Sequence, residues 1–135
     1  MTKYTASIDT IADDHETWEA TANNQAVQVS VPEEFGGSDD ALTPEHLYAL
    51  SLLNCYVATF RVIAKKSGLD YDDMSADITI TLNPDDNPPV SDAEITLVYD
   101  GDDDAKTKHV ARKARDHCYV HRSVKTQITI SFNHV

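Results

Sequence analysis

The chain has 135 residues, 41% of them hydrophobic, which is enough for one domain with a real core and too few for two ordinary ones. Its 23 acidic residues against 11 Lys and Arg give a formal net charge of -12. Such a field repels nucleic acid and anionic membrane surfaces, so neither is an expected partner.

The acid excess is scattered in short groups, Asp13-Asp14, Asp39-Asp40, Asp72-Asp73 and Asp102-Asp103-Asp104, rather than gathered in one tail. A solvated acidic coat of this kind suits a halophilic cytoplasm, where salt screens the self-repulsion. The melting temperature is then expected to rise between low and molar salt, and a flat response would exclude that reading. The first residues, Met1 to Ser7, alternate polar and apolar like a strand, with no Lys/Arg-flanked apolar run resembling a secretory leader, so the expected location is cytoplasmic.

Three short strands are predicted over residues 2–11, 15–21 and 25–31, with Asp13-Asp14 and Asn23-Asn24 as the turns of a meander. A polar connection over 32–42 carries Gly36-Gly37. Thr43-Pro44-Glu45 then reads as an N-cap, a first-turn proline and a first-turn acid, opening a helix over 43–67 that closes on Lys65, Lys66 and Gly68. Apolar residues occupy most faces of this helix, which predicts burial on nearly all sides. A membrane span is the rival explanation, and Ser51, Asn54, Thr59 and Arg61 interrupt it.

Alternation from Met74 to Leu82 and again from Ala93 to Tyr99 predicts a hairpin around the loop 83–89. Asp102 to Asp104 cap a second helix over 105–117, whose Ala105, Val110, Ala111 and Ala114 form a narrow face suited to close packing. Thr126 to Phe132 make the last strand. The predicted order is βββ-α-ββ-α-β, an α+β single domain over 1–135, with N-terminal strands in 1–35, the central helix in 43–67 and the remaining elements in 74–135. So few strands cannot wrap the first helix alone, and a homodimer is the expected arrangement.

Two cysteines stand in this framework, Cys55 in the middle of the first helix and Cys118 at the end of the second. In a reducing compartment such a pair is more often transient or catalytic than a permanent staple. A mid-helix cysteine gains little from the helix dipole and needs a cationic or hydrogen-bonding neighbour to be reactive. From the residues alone, a redox pair and two buried spectator thiols both remain open.

The stretch Gly36-Gly37-Ser38-Asp39-Asp40-Ala41-Leu42-Thr43-Pro44-Glu45-His46-Leu47, followed by Ala49-Leu50-Ser51-Leu52-Leu53-Asn54-Cys55, resembles the OsmC/Ohr family. There, a glycine pair, a Pro-Glu helix start and an apolar run lead to a peroxidatic cysteine. His117-Cys118-Tyr119-Val120-His121-Arg122-Ser123-Val124 resembles the family's second-cysteine segment, and the element order agrees. The resemblance implies an intertwined homodimer with central buried helices and two sites at the subunit interface. It also implies peroxide reduction through a Cys55 sulfenic acid, resolution by Cys118 as a disulfide, and restoration by an external dithiol. Lipoylated proteins serve as that dithiol for Ohr-like relatives. No cofactor and no metal is required.

Glu45 matches the family's motif glutamate, which helps to order a catalytic arginine. Ten residues of helix span about 15 Å, so Glu45 either serves a site in a partner chain or caps its own helix. One departure stands out: Ohr-type members carry the arginine in the N-terminal strands, whereas the first arginine here is Arg61. On chemical grounds Arg61, Arg115, Arg122, His117 and His121 are candidate substitutes, none of them mapped by the motif, and each reads equally as a surface or ion-pairing residue. Tyr119 also stands where relatives often have proline.

Two other functions compete. His117, Cys118 and His121 with Cys55 offer a metal-type donor set, without standard zinc-finger spacing. A non-catalytic, small-molecule-binding or redox-sensing dimer would also account for the missing arginine. Tyr48, Asn54, Tyr56 and Phe60 either line an apolar pocket for bulky hydroperoxides or pack as core.

Overall fold

A computed structural model describes residues 1–9, 16–71 and 73–135. The Asp13-Asp14 turn and the adjoining ends of the first two predicted strands lie outside the described residues. The chain divides into two compact units, Met1–Tyr48 and Ala49–Val135.

In the first unit, β1 (Ala6–Ile8), β2 (Trp18–Ala22) and β3 (Gln25–Val29) form the predicted antiparallel meander, with β1 much shorter than the alternation implied. Asn23 and Asn24 connect β2 to β3 with positive φ angles of 50° and 59°. Two consecutive left-handed residues match the right-handed twist of a two-residue hairpin, and asparagine tolerates them better than most residues.

The glycine pair of the connection serves two separate needs. Gly36 sits at φ 90° beyond the 3-10 turn Glu33–Phe35, a conformation that disfavours a side chain. At Gly37 an added Cβ would lie 1.6 Å from the Val31 carbonyl oxygen, a collision with backbone that only a missing side chain avoids. The buried Ser30 hydroxyl stitches this loop by donating to Val31 O at 2.8 Å and accepting from Ser38 N at 2.9 Å.

Helix α1 (Pro44–Ser67) opens as the capping residues predict, with one addition. Thr43 Oγ1 accepts the His46 backbone N–H at 3.2 Å, and His46 Nδ1 accepts the Thr43 N–H at 3.0 Å. This is a capping box in which histidine takes the position usually held by glutamate or glutamine. The cap therefore belongs to Thr43 and His46 rather than to the Glu45 side chain.

In the second unit, β4 (Met74–Ile80), β5 (Asp92–Tyr99) and β6 (Gln127–His134) form a sheet in the order β4-β5-β6. The β4–β5 pair is the expected hairpin, and α2 (Asp104–His117) is the crossover that lets β6 run parallel to β5. Asp103 caps α2 by accepting the Lys106 N–H at 3.0 Å, and Asp104 accepts the Tyr99 hydroxyl, tying the helix start to the end of β5.

The core joins both helices to one face of that sheet. Tyr56, Phe60 and Ala64 of α1 meet Ile95, Leu97 and Tyr99 of β5 and Val110, Ala111 and Ala114 of α2. Ala111 and Ala114 are fully buried, and the Tyr56 hydroxyl donates to Ala111 O at 3.2 Å, so the small-residue face packs closely as predicted. Ala105, assigned to that face from the sequence, is exposed, and Thr107 is buried instead.

Within one chain, the buried residues of α1 form a single stripe, Leu52, Tyr56, Phe60 and Ala64. Leu50 and Val62 remain 55% exposed. By length and composition α1 could cross a membrane, but Tyr56, Phe60 and Ala64 of this stripe lie in one core cluster with residues of α2 and β5.

Candidate functional site

A residue every fourth position carries the core stripe of α1, and Cys55 sits on its shoulder, three residues after Leu52 and one before Tyr56. It is half-buried, and its carbonyl accepts the Thr59 hydroxyl at 2.8 Å. Cys118 is the C-cap of α2, in an extended conformation, and is fully buried. Both are free thiols.

The two cysteines meet through their side chains. The Cys118 thiol is in hydrogen-bonding contact with Cys55, while the backbone N–H groups of His121 and Val120 point at the Cys118 sulfur. Burial first, and then the contact with Cys55, push the Cys118 thiol up to about 11, the two backbone donors opposing this only in part. At neutral pH Cys118 therefore keeps its proton.

His121 completes this corner. Its Nε2 donates to Leu52 O at 2.8 Å, and its ring lies parallel to Tyr56, 6.0 Å between centroids and 2° between planes. Nδ1 is buried without a hydrogen-bond partner. Burial lowers the His121 pKa, with the Leu52 bond opposing it, so the ring is neutral in the folded protein.

These groups give stability a defined pH dependence. A histidine whose pKa is lowered by folding binds its proton more readily when unfolded, so its contribution is complete above the ordinary value of 6.5 and is lost as pH falls below it. A thiol raised by folding works in the other direction. Cys118 adds stability that diminishes as pH rises from the ordinary 9.0 towards about 11. Urea midpoints measured between pH 5 and 11 are expected to fall on both flanks. A His121→Phe variant should lose part of the acid flank, and an unchanged acid flank would exclude the buried neutral imidazole.

The other predicted residues are more dispersed. Glu45 lies in the first turn of α1, in the first unit, and its Oε2 is buried without a hydrogen-bond partner. Of the substitute cations, Arg122 and His117 are exposed, and Arg115 pairs with Asp116 at 3.4 Å. Arg61 lines a cavity of about 320 Å³ with Tyr56, Val57, Phe60, Tyr71 and Met74. Tyr56 and Phe60 thus serve both core and cavity, whereas Asn54 and Tyr48 are not part of the lining. Of the five, His121 reaches the Cys118 sulfur, through its backbone N–H rather than its ring, and Arg122 N–H donates to the Cys118 carbonyl at 3.1 Å. Among the described residues no group of three His, Cys, Asp or Glu side chains comes together as a metal cage, and the His121 Nε2 is committed to a carbonyl.

The roles of His46 in the cap and of His121 against Leu52 escaped the sequence reading. The first had a local signal, a hydrogen-bonding side chain three residues after Thr43. The second had none, because Leu52 and His121 are distant in the chain.

An α+β scaffold that brings one thiol from each of two helices into contact defines a dithiol protein. The OsmC-like protein model matches residues 37–133, and the chain belongs to that family. Among solved structures, an OsmC-like protein of unknown function from Vibrio cholerae O1 matches with a TM-score of 0.84 at 14% identity, over 98% of this chain and 99% of that one. An organic hydroperoxide resistance protein from Elizabethkingia anophelis, crystallised with thiocyanate, matches with a TM-score of 0.81 at 14% identity, over 100% and 98%. An organic hydroperoxide resistance protein OsmC from Legionella pneumophila matches with a TM-score of 0.75 at 15% identity, over 98% of each chain. Comparison with curated proteins finds no match.

Proposed function

We propose that this chain is a cysteine-based peroxidase that reduces organic hydroperoxides, working as a cytoplasmic homodimer. The observation that carries the reading is the contact between a buried, protonated Cys118 thiol and the more accessible Cys55. The Cys55 thiolate attacks the distal peroxide oxygen, the O–O bond breaks, and the alkoxide leaves and takes a proton. Cys55 is then a sulfenic acid. The Cys118 sulfur displaces its hydroxyl as water, giving a disulfide whose sulfurs have only to close from hydrogen-bonding contact to about 2.05 Å. An external dithiol, of the lipoylated class or another, restores both thiols by two exchanges.

Two further features support the assembly. The exposed Leu50 and Val62 on α1 are apolar surface that a second copy would cover. The unpartnered Glu45 Oε2 is a carboxylate oxygen suited to a cation brought by that copy, in line with the role the family motif gives this residue. Single-turnover reaction with cumene hydroperoxide is expected to consume two thiols per chain and leave a Cys55–Cys118 disulfide.

The absence of any arginine before Arg61 favours a second reading, a redox-sensing or small-molecule-binding dimer without turnover. In that case the thiols would oxidise slowly and show no preference for organic hydroperoxides over hydrogen peroxide.

A further inference from the structure

The segment after α2 is a tight coil held by its own backbone. Arg122 N–H donates to Cys118 O at 3.1 Å, Ser123 N–H to Val120 O at 3.0 Å, and the Ser123 hydroxyl to Tyr119 O at 2.8 Å. These bonds shape the coil, but none of them attaches it to α1. The side chain of His121 does so. Its Nε2–H reaches Leu52 O, and its ring lies along Tyr56. Leu52 and Tyr56 bracket Cys55 on α1, three residues before it and one after. The His121 backbone N–H, in turn, points at the Cys118 sulfur. One residue thus touches the turn that presents Cys55 and the sulfur that must reach it.

The Leu52 carbonyl is available because a helical carbonyl has a second lone pair beyond its bond to the residue four positions on. The ring must be the neutral tautomer with its hydrogen on Nε2, which leaves the buried Nδ1 as a bare acceptor. A parallel ring at 6.0 Å fixes the plane of the imidazole, so the donor has one direction in which to point.

We infer that His121 is a positioning residue for disulfide closure, a latch that pins the Cys118 coil to α1 and holds the Cys118 sulfur against Cys55. The inference rests on reading the two cysteines as the reacting pair, but not on the oxidant being a peroxide. The latch acts on the second step, in which Cys118 closes on Cys55. It leaves the attack of Cys55 on its oxidant untouched.

Two variants of the full reduced chain separate the donor from the ring. His121→Phe keeps an aromatic ring for Tyr56 and removes the donor to Leu52. His121→Gln removes the ring and offers an amide N–H at a reach similar to Nε2. Closure is driven with diamide, a diazene that takes up the two thiol hydrogens as the disulfide forms, and is followed by thiol titration and intact mass well below each melting temperature. Closure in His121→Phe is expected to slow about ten-fold or more, the scale on which misplacement of reacting groups acts, and His121→Gln to recover most of it. Under cumene hydroperoxide, dimedone should trap more Cys55 sulfenic acid in His121→Phe than in the wild type.

Closure at the wild-type rate in His121→Phe overturns the latch, as does equal slowing of both variants in step with their loss of stability. Should His121→Phe fail to fold, the comparison passes to His121→Gln against His121→Ala, and a Gln variant that closes no faster than Ala overturns it equally. A wild type that closes with diamide but ignores the hydroperoxide removes the peroxidase reading and leaves the latch standing. Rapid peroxide turnover with unaltered closure in His121→Phe does the reverse.

Discussion

Cys55→Ser is expected to abolish hydroperoxide consumption, lowering the rate at least about 10³-fold, because a serine hydroxyl supplies no appreciable anion at neutral pH and is a far poorer nucleophile than a thiolate. The paired variant Cys118→Ser should behave differently. It retains the nucleophile and consumes one equivalent of peroxide per chain, then stalls as a sulfenic acid that dimedone traps. Excess peroxide carries that acid on to sulfinic acid, seen as a gain of two oxygens by intact mass.

Cys118 is fully buried, so a serine there places a hydroxyl among groups selected for sulfur. Some stability, about 1–3 kcal/mol, should be lost. Cys118→Ala run in parallel separates that cost from the chemistry, since both variants share the one-equivalent stall. Multiple turnovers by either Cys118 variant with a dithiol reductant would remove Cys118 from the cycle. Undiminished peroxide reduction in Cys55→Ser would dismiss the mechanism outright.

The largest effect on stability is expected at Tyr56. Its side chain is fully buried between the helices, near Phe60 at 6.4 Å and His121 at 6.0 Å, and its hydroxyl donates to Ala111 O. Burial raises the phenol pKa, with Arg115 pulling weakly the other way, so the hydroxyl is a donor throughout the physiological range. Tyr56→Ala removes a whole aromatic side chain from the core and should cost about 3–5 kcal/mol. Tyr56→Phe removes one hydrogen bond and keeps the ring, with an expected cost of about 1 kcal/mol. Urea unfolding of the reduced chain measures both.

The same pair tests how packing and chemistry are joined. Tyr56→Phe leaves a ring for His121 to lie against, so disulfide closure should remain near the wild-type rate despite the lost stability. Tyr56→Ala removes that support and should slow closure as His121→Phe does. Equal closure rates in the two would show that the imidazole is held by the Leu52 carbonyl alone.

The parts of this protein legible in its sequence are those set by neighbours in the chain. Thr43-Pro44 opens α1 because a cap needs only the next few residues, and Asn23-Asn24 turns β2 into β3 because two left-handed residues suffice. Alternation identified β4 and β5, and the apolar run with the helix start before Cys55 carried the family resemblance.

Tertiary structure alone decided the rest. The parallel pairing of β6 with β5 and the stripe of α1 that faces inward join segments far apart in sequence. So does the bond from His121 to Leu52. The meeting of Cys118 with Cys55, by contrast, was implied by the family resemblance and not by the residues on their own. Periodicity reports that a face is apolar, not what it will meet. A histidine or a thiol acquires its tautomer, its proton and its role only from the groups that folding places around it.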